Sequence, residues 1–408
     1  MRPLLVSSIA ISAILFSFAC APGAGAPAAQ PGGTEGSIKI VSSLPRTGSS
    51  KGQTDTIVNG IKMALEQANY RAGKFTVEYE DMDDATAAKG AWDAAKEAEN
   101  ANKAVNDPKV MAYIGTYNSG AAAISIPINC KANLVQVSPA NTYPGLTKPG
   151  KGERDEPDKF YPGCKRNYAR VVPADDLQGV IGANWARTLG IKKVYIVDDT
   201  QLYGHGIAVI FADQAKKNGI EVVGGPEGID QKATDYRALA QKIRNANPEL
   251  VYLGMVTDSN AAKVVQDIKG AMPNVKFMGP DGIYEKAFID GAGTAAEGTY
   301  VTFGGVPPSK LTGKGADWYK SYKDKFKSEP EAYAAYGYEA TKVVLSAIEK
   351  AGKADRAAIR DAVFATMEFD GVLGKWGFDQ NGDTSATTMS GRQVKGGKFD
   401  DENAITLR

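Results

Sequence analysis

Residues that could perform enzyme chemistry are few in this sequence and lack the spacing that catalysis needs. His205 is the only histidine, so a multi-histidine metal site is excluded, and the HExxH, CxxC and GxSxG motifs do not occur. Residues 115–120 have the glycine spacing of a phosphate-binding loop, but Ala121 stands where that loop requires lysine. The sequence therefore predicts no catalytic centre, no metal and no cofactor, and it disfavours nucleotide binding.

Two acidic runs offer the next possible chemistry, which is cation binding. The run DMDD at 81–84 ends a predicted strand just before an alanine-rich helix, so we interpret its carboxylates as helix caps. The run DQNGD at 379–383 is similar to a calcium loop, but its glycine is misplaced and the later glutamate is missing. Its Asn381-Gly382 pair is typical of a hairpin turn. Both runs are better explained without a cation.

Polar residues that could bind a small anion follow two predicted strands. VMAYIG is followed by residues 116–121, TYNSGA, and NLVQVS is followed by residues 139–142, PANT. In open α/β sheets, ligands bind beyond the carboxyl ends of strands, where the free amides of helix N-termini attract anions. Ser119 and Thr142 add hydroxyl donors that suit a carboxylate. The residues alone leave helix capping open as an equally good interpretation.

The elements that would position these residues alternate regularly from about Ser37. Apolar runs and helical patterns repeat as strand, helix, strand over residues 37–139 and again over residues 168–305. Such alternation predicts the α/β class with two doubly wound parallel-sheet lobes. A polar insertion at 147–163 separates the two series, and a late helical block suggests that the chain crosses back to complete the first lobe.

The N-terminus has the pattern of an export signal. Residues 1–20 contain one arginine, an uncharged apolar stretch and small residues before Cys20. Cys20 fits the lipid attachment site of a bacterial lipoprotein, and an ordinary signal peptide that is cut elsewhere is the alternative. Residues 21–36, rich in Ala, Pro and Gly, predict a flexible tether. We expect an extracytoplasmic protein held near a membrane by its lipid.

The cysteines and the charge balance limit the partners further. An exported chain meets oxidising conditions, so Cys130 and Cys164 are predicted to form a disulfide, with two free thiols as the alternative. The 408 residues carry 48 basic and 47 acidic side chains, which gives a net charge of +1. So small a charge gives no positive electrostatic field that would attract nucleic acid. No segment after the signal is apolar enough to span a bilayer. The chain is therefore expected to be a soluble globular protein beyond its tether.

The order of these elements, together with several short motifs, resembles the branched-chain amino acid binding proteins of bacterial ABC importers, which have the type I periplasmic-binding fold. The resemblance covers essentially all of the chain from Ser37 onward. Its motifs are LPRTG at 44–48, DMDD at 81–84, YIGTYNSGA at 113–121, VSPANTYPGLT at 137–147, RVVPADDLQG at 170–179, QLYGHG at 201–206, FMGPDG at 277–282 and FDQNGD at 378–383.

This resemblance implies two lobes joined by a hinge of three crossings, near Val172, Val301 and Val372. Neither lobe is then continuous in sequence. The first would comprise residues 37–172 plus 302–372, and the second would comprise residues 173–301 plus 373–408.

The resemblance also implies the binding residues. Ser119 and the loop of Ala140, Asn141 and Thr142 would hold a carboxylate of the ligand in the first lobe. Asp281 would face an ammonium group, where the family more often has glutamate, and Tyr203 would contact the ligand across the cleft. Aromatic walls are expected from Tyr117, Tyr143 and Tyr252. Lys51 stands where the family often has an aromatic residue, which would allow a second anionic group on the ligand.

By resemblance, then, the chain is expected to bind an amino acid, neutral or branched-chain, in its interlobe cleft. It would act as a monomer and deliver the ligand to the permease subunits of an ABC importer. The alternative is a ligand-sensing receptor of the same fold for a small amide, urea or an aromatic carboxylate.

Overall fold

The computed structural model describes Met1 and residues 36–407. The remainder of the predicted signal segment, Cys20 and the predicted tether up to residue 35 lie outside the described residues, as does residue 408. Within the described part of the chain, no helix combines the length and the apolarity that a bilayer crossing requires.

The first lobe is built on a sheet of six strands in the order β2-β3-β1-β6-β7-β8. All neighbours are parallel except β2 and β3, and every residue of the central strand β6 is buried, as expected when helices cover both faces. The strands are β1 (Ser37–Leu44), β2 (Arg71–Ala72), β3 (Phe75–Asp83), β6 (Val110–Gly115), β7 (Val135–Ser138) and β8 (Tyr168–Arg170); β4 (Ala85–Thr86) and β5 (Ala91–Trp92) form a separate pair.

The second lobe is built on a sheet in the order β10-β9-β11-β12-β13-β16-β17, with β18 also paired to β16. Its strands from β10 to β13 are parallel, and β16 adds antiparallel to β13. The strands are β9 (Lys193–Asp198), β10 (Glu221–Gly228), β11 (Leu250–Gly254), β12 (Lys276–Gly279), β13 (Tyr300–Gly304), β16 (Met389–Lys395), β17 (Lys398–Phe399) and β18 (Ile405–Leu407); β14 (Phe369–Gly371) and β15 (Gly374–Trp376) form a separate hairpin.

Eleven α-helices of the described chain connect and cover these strands. The predicted α/β class, with two parallel-sheet lobes, is confirmed. The helices are α1 (Lys51–Gln67), α2 (Ala94–Asn106), α3 (Ser119–Lys131), α4 (Asp175–Thr188), α5 (Leu202–Lys217), α6 (Arg237–Ala246), α7 (Ala261–Ala271), α8 (Lys286–Ala292), α9 (Lys314–Phe326), α10 (Ala334–Ala351) and α11 (Arg356–Phe364).

The predicted start of α2 near residue 85, with caps from the run 81–84, is wrong. Residues 85–92 form the β4–β5 pair instead, and the helix begins at Ala94. The capping carboxylate is Asp93, whose Oδ1 accepts the amides of Ala95 at 2.9 Å and Lys96 at 3.1 Å. Sequence reasoning placed the cap at the first acidic run and overlooked the later aspartate.

The late helical block returns to the first lobe, as expected. α10 crosses α1 at two glycines whose missing side chains permit close approach. A Cβ on Gly60 would lie 2.2 Å from the carbonyl oxygen of Ala334, and one on Gly337 would lie 2.6 Å from that of Ile57. These contacts attach residues that follow the second lobe in sequence to the first helix of the first lobe.

The chain passes between the lobes three times, after β8, after β13 and before β16. The second crossing follows Gly304 rather than lying near Val301, because Val301 is inside β13. With that change, our proposal for the two lobes becomes residues 37–172 plus 305–372 and residues 173–304 plus 373–408, in place of the boundary at 301/302.

A buried ion pair joins two of the crossings. Arg170, at the end of β8, donates from Nε to Asp383 Oδ1 at 2.6 Å, and both side chains are buried. Asp383 belongs to the predicted turn, in which Asp379 Oδ1 accepts the amides of Asn381 and Asp383. Arg170 also donates to the carbonyl oxygen of Tyr143 at 2.8 Å. One guanidinium therefore links the hinge to the loop that follows β7.

A disulfide joins Cys130, near the end of α3, to Cys164 in the polar insertion. The bond joins residues 34 positions apart in the sequence and attaches the insertion to the first lobe. The insertion also contributes Glu156, whose carboxylate is buried and accepts a hydrogen bond from the Tyr143 hydroxyl at 2.6 Å.

Reduction of this disulfide should lower the free energy of unfolding by about 3 to 4 kcal/mol, because the reduced unfolded chain regains the freedom of the open loop. Urea unfolding of the wild type with and without a reductant measures the difference, and the Cys130→Ser/Cys164→Ser double variant controls for side effects of the reductant. Equal stability of the oxidised and reduced wild type would show that the bond contributes nothing.

Candidate ligand-binding cleft

The candidate site begins at the carboxyl ends of β6 and β7, which are neighbours in the first sheet. α3 starts at Ser119, and residues 139–142 follow β7. Asn141 ties the two loops together, because its side-chain amide donates to the carbonyl oxygen of Tyr117 at 2.8 Å. The sheet topology and this bond place the predicted anion-binding groups side by side.

These first-lobe loops present hydrogen-bond donors at a helix N-terminus. The Ser119 oxygen accepts the amide of Tyr143 at 3.3 Å, which leaves its hydroxyl proton available to a ligand. Thr142 Oγ1 is buried, and the carboxyl group of Asp175 lies close to it. Ala140 lies beside them and is also buried. Hydroxyls and helix-terminal amides in this arrangement can hold a carboxylate without a buried lysine or arginine.

The second lobe presents a carboxylate. Asp281 follows β12 and is 4% exposed. Its Oδ1 accepts from the hydroxyl of Tyr203, on the first turn of α5, at 3.0 Å, and the Tyr203 oxygen accepts the amide of Gly282 at 2.9 Å. Its Oδ2 accepts from the hydroxyl of Tyr333 at 2.6 Å. Tyr333 precedes α10 of the first lobe, so Asp281 is bound from both lobes.

One narrow cavity brings these residues together, with a volume of about 20 Å³. Five of the predicted site residues line it: Tyr117, Ser119, Ala140, Tyr203 and Asp281. Its other lining residues are Asn118, Gln201, Val256 and Gly282. Both lobes contribute to the lining, so the cavity closes only when the lobes meet.

Two buried acidic groups lie in the cavity region. Burial raises the pKa of Asp281, against the opposing effect of hydrogen bonds from Tyr333, Gln178 and Tyr203. Burial, and then the charge of Asp281, raise the pKa of Asp175, whereas a hydrogen bond from Thr142 and the charge of Arg170 lower it. The ion pair of Arg170 is with Asp383, not with either of these two groups. A cationic group would be stabilised here.

A second pair of carboxylates lies at the interlobe contact. Asp258 Oδ1, from the second lobe, accepts the amide of Ser50 of the first lobe at 2.8 Å. Glu285, also of the second lobe, accepts from the hydroxyl of Tyr117 and from Ser50 Oγ at 3.4 Å. Burial, and then the charge of Asp258, raise the pKa of Glu285. These hydrogen bonds hold the two lobes together beside the cavity.

Two of the predicted aromatic walls lie elsewhere. The ring of Tyr143 lines a neighbouring cavity and contacts Gly206 of α5, where an added Cβ would lie 2.7 Å from the ring. Tyr252 is buried in the core of the second lobe, where it stacks on Phe211 with ring centroids 3.7 Å apart. Lys51 lies outside the cavity, on the exposed first turn of α1, and forms an ion pair with Asp55. The structure therefore gives no support to the second anionic group suggested by Lys51.

Sequence reasoning missed several residues of the cavity. Asn118 and Gln201 lie next to predicted motif residues, and their adjacency could have identified them. Val256 follows β11, so the rule that ligands bind beyond strand ends also covered it. Tyr333 gave no such signal, since it lies 52 residues beyond Asp281. Only the return of the chain to the first lobe brings it to the cleft.

Within residues 36–407, no group of three or more His, Cys, Asp or Glu side chains is arranged to hold a metal ion. Carboxylates of the run 81–84 contact Arg46 rather than a metal site. The backbone amide of Arg46 donates to Asp83 at 2.7 Å, and the Arg46 guanidinium forms an ion pair with Asp81 at 3.1 Å.

Comparison with known proteins assigns the chain to a family. Residues 37–398 match the family model of the periplasmic binding proteins. Leu/Ile/Val-binding protein homolog 2 of Brucella abortus (strain 2308) is 29% identical, over 87% of this chain and 90% of that protein.

Solved structures show the same likeness. A leucine binding protein from Thermotoga maritima has a TM-score of 0.79 and 27% identity, and the match covers 90% of this chain and 98% of that one. A solute binding protein of an ABC transporter from R. palustris, in complex with benzoate, has a TM-score of 0.74 and 19% identity, with coverage of 91% and 96%. At that identity the second likeness shows the fold alone. The chain belongs to the periplasmic binding protein family, among the branched-chain amino acid binding proteins of ABC transporters, which are extracytoplasmic solute-binding proteins.

Proposed function

We propose that this protein binds one amino acid between its lobes and delivers it to the permease of an ABC importer without changing it chemically. The observation that carries the proposal is the pairing of opposite chemistries across one cavity. Hydroxyl donors and helix-terminal amides lie on the first-lobe side, and the buried carboxylate of Asp281 lies on the second-lobe side. An amino acid has the matching carboxylate and ammonium groups.

In this proposal Ser119, Ala140 and Thr142 hold the ligand carboxylate, and Asp281, supported by Tyr203, holds the ammonium. Burial and the charge of Asp281 raise the pKa of Asp175, so a cation between the lobes would also favour the ionised form of this second acidic group. A charge-assisted hydrogen bond in a desolvated site is stronger than a neutral one. Micromolar affinity corresponds to about 8 kcal/mol, which two such charged ends and a small pocket can supply.

A benzoate-type acid is the main alternative ligand, because a benzoate complex has the same fold. Such a ligand would satisfy the first-lobe donors. However, it carries no cation, so its negative charge would lie close to Asp281 and Asp175 and would disfavour the ionised forms of both carboxyl groups further. The charges of the cleft therefore favour an amino acid over an aromatic carboxylate.

Hinge closure is the proposed mechanism of capture. The cavity of about 20 Å³ is too small for an amino acid to enter while the lobes touch, so the lobes must separate first. The ligand carboxylate then binds the first lobe, and closure brings in Asp281 and Tyr203. The permease would recognise the closed form, so binding energy is used to select that conformation.

The charge of Asp281 is tested by Asp281→Asn, which keeps the shape and removes the charge. We expect affinity for the amino acid to fall by about tenfold to a hundredfold, since a charged hydrogen bond contributes about 1.5 to 3 kcal/mol. Ser119→Ala, which deletes a donor to the carboxylate, should cost about 1 kcal/mol. Calorimetry with amino acids measures both effects.

Asp290→Asn is the matched control, because Asp290 is an exposed residue of α8 that forms an ion pair with Lys286 on the surface. Its affinity should equal that of the wild type, and the thermal unfolding of all three variants without ligand should stay near wild type. Wild-type affinity in Asp281→Asn would exclude the ammonium contact and favour an acid or amide ligand.

We also propose that Cys20 carries a lipid that tethers the protein to the outer face of the membrane, where it works as a monomer. The pattern of residues 1–20 supports this proposal. Wild-type protein should fractionate with membranes, whereas Cys20→Ser should be soluble or unprocessed, and light scattering of the soluble body should give the mass of one chain. Equal solubility of wild type and Cys20→Ser would contradict the lipid anchor.

A further inference from the structure

Asn118 occupies an unusual position on the wall of the cavity. It is the N-cap residue of α3, with an extended backbone at φ −84° and ψ 134°. An asparagine at this position normally caps the helix by accepting an amide of the first turn. The Asn118 side chain makes no such bond, and its Oδ1 is buried without a hydrogen-bond partner among the described residues. The residue lines the cavity between Tyr117 and Ser119.

A buried acceptor without a donor is costly, so this oxygen needs a partner that arrives with the ligand. The neighbouring polar groups are already engaged. Gln201 Oε1 accepts from the indole N–H of Trp92 at 2.8 Å, and the Gln201 amide donates to Ser259 at 2.9 Å. The Tyr117 hydroxyl donates to Glu285. The Asn118 oxygen therefore remains the free acceptor on this wall of the cavity.

The surroundings favour a polar ligand side chain over an aliphatic one. Val256 and Ala140 are the aliphatic side chains of the lining. Glu285 accepts from the Tyr117 hydroxyl, and Asp258 lies close enough to raise the pKa of Glu285. These buried acidic groups oppose a ligand with a second carboxylate and favour the positive end of an N–H or O–H dipole. Asn118 directly precedes Ser119, which is proposed to hold the ligand carboxylate, so a short side chain suffices to reach Asn118.

We infer that Asn118 selects the side chain of the bound amino acid, by accepting a hydrogen bond from a short side chain that carries a hydroxyl or carboxamide donor. This inference rests on the proposed function. It separates this chain from binders of purely aliphatic ligands, since a branched hydrocarbon would leave the Asn118 oxygen buried and unpaired. A site that bonds a donor rejects the isosteric ligand that lacks it.

Threonine and valine provide the sharpest test, because they share a shape and differ by one hydroxyl. Calorimetry of the wild type should show threonine binding about tenfold more tightly than valine, and aspartate binding more weakly than either. In Asn118→Leu, which replaces the amide by a hydrocarbon of similar size, the preference should reverse toward valine. Since the Asn118 side chain does not cap α3, this variant should unfold near the wild-type temperature.

Asn102→Leu, on the exposed face of α2, is the matched control and should keep the wild-type preference for threonine. An Asn118→Ala variant that loses the threonine preference without gaining valine would support the same conclusion. An equal loss of affinity for every amino acid in the Asn118 variants would overturn the inference. It would show that Asn118 contacts the ammonium group, which all amino acids share, rather than the side chain. A wild-type preference for valine or leucine would also overturn the inference. Failure of all amino acids to bind the wild type would instead refute the proposed function itself.

Discussion

The cleft depends on a carboxylate that is buried between two lobes. Asp281 belongs to the second lobe, yet it is held by Tyr203 from its own lobe and by Tyr333 from the other. A buried carboxylate needs donors or a cation, and these hydroxyls supply only neutral partners. Asp175 lies close enough that its pKa is raised by the charge of Asp281, so a cation in the cleft would stabilise the ionised forms of both groups. The site is therefore stable when closed but electrostatically incomplete, which is the condition under which a cationic ligand gains most from closure.

The hinge is organised by the Arg170 guanidinium, which is buried where two of the crossings meet. Its bond to Asp383 joins the end of β8 to the turn before β16, and its bond to the Tyr143 carbonyl fixes the loop that begins at residue 139. The loop expected to hold the ligand carboxylate is thus anchored to the hinge itself. This arrangement anchors the first-lobe half of the site, whereas Asp281 belongs to the other lobe and would approach it in the proposed closure.

Much of this arrangement could be predicted from the sequence, because local rules govern it. Strand ends in a parallel sheet share one edge, so Ser119 and Ala140 were expected to meet, and the structure places both in one cavity. Other contacts depend on long-range geometry. Tyr333 reaches Asp281 only through the return of the chain to the first lobe. Tyr143 was expected in the cavity, but a turn at Pro144–Leu146 directs the chain away and leaves its ring against α5. Neither outcome has a signature in residue spacing.

The central claim is that the cleft binds a molecule with both an ammonium and a carboxylate group. Native mass spectrometry of the freshly purified protein, followed by identification of the small molecule released on unfolding, tests it most directly. The account predicts a single bound amino acid at one molecule per chain, released unchanged. A released aromatic carboxylate, or any bound compound without an amine, would contradict it.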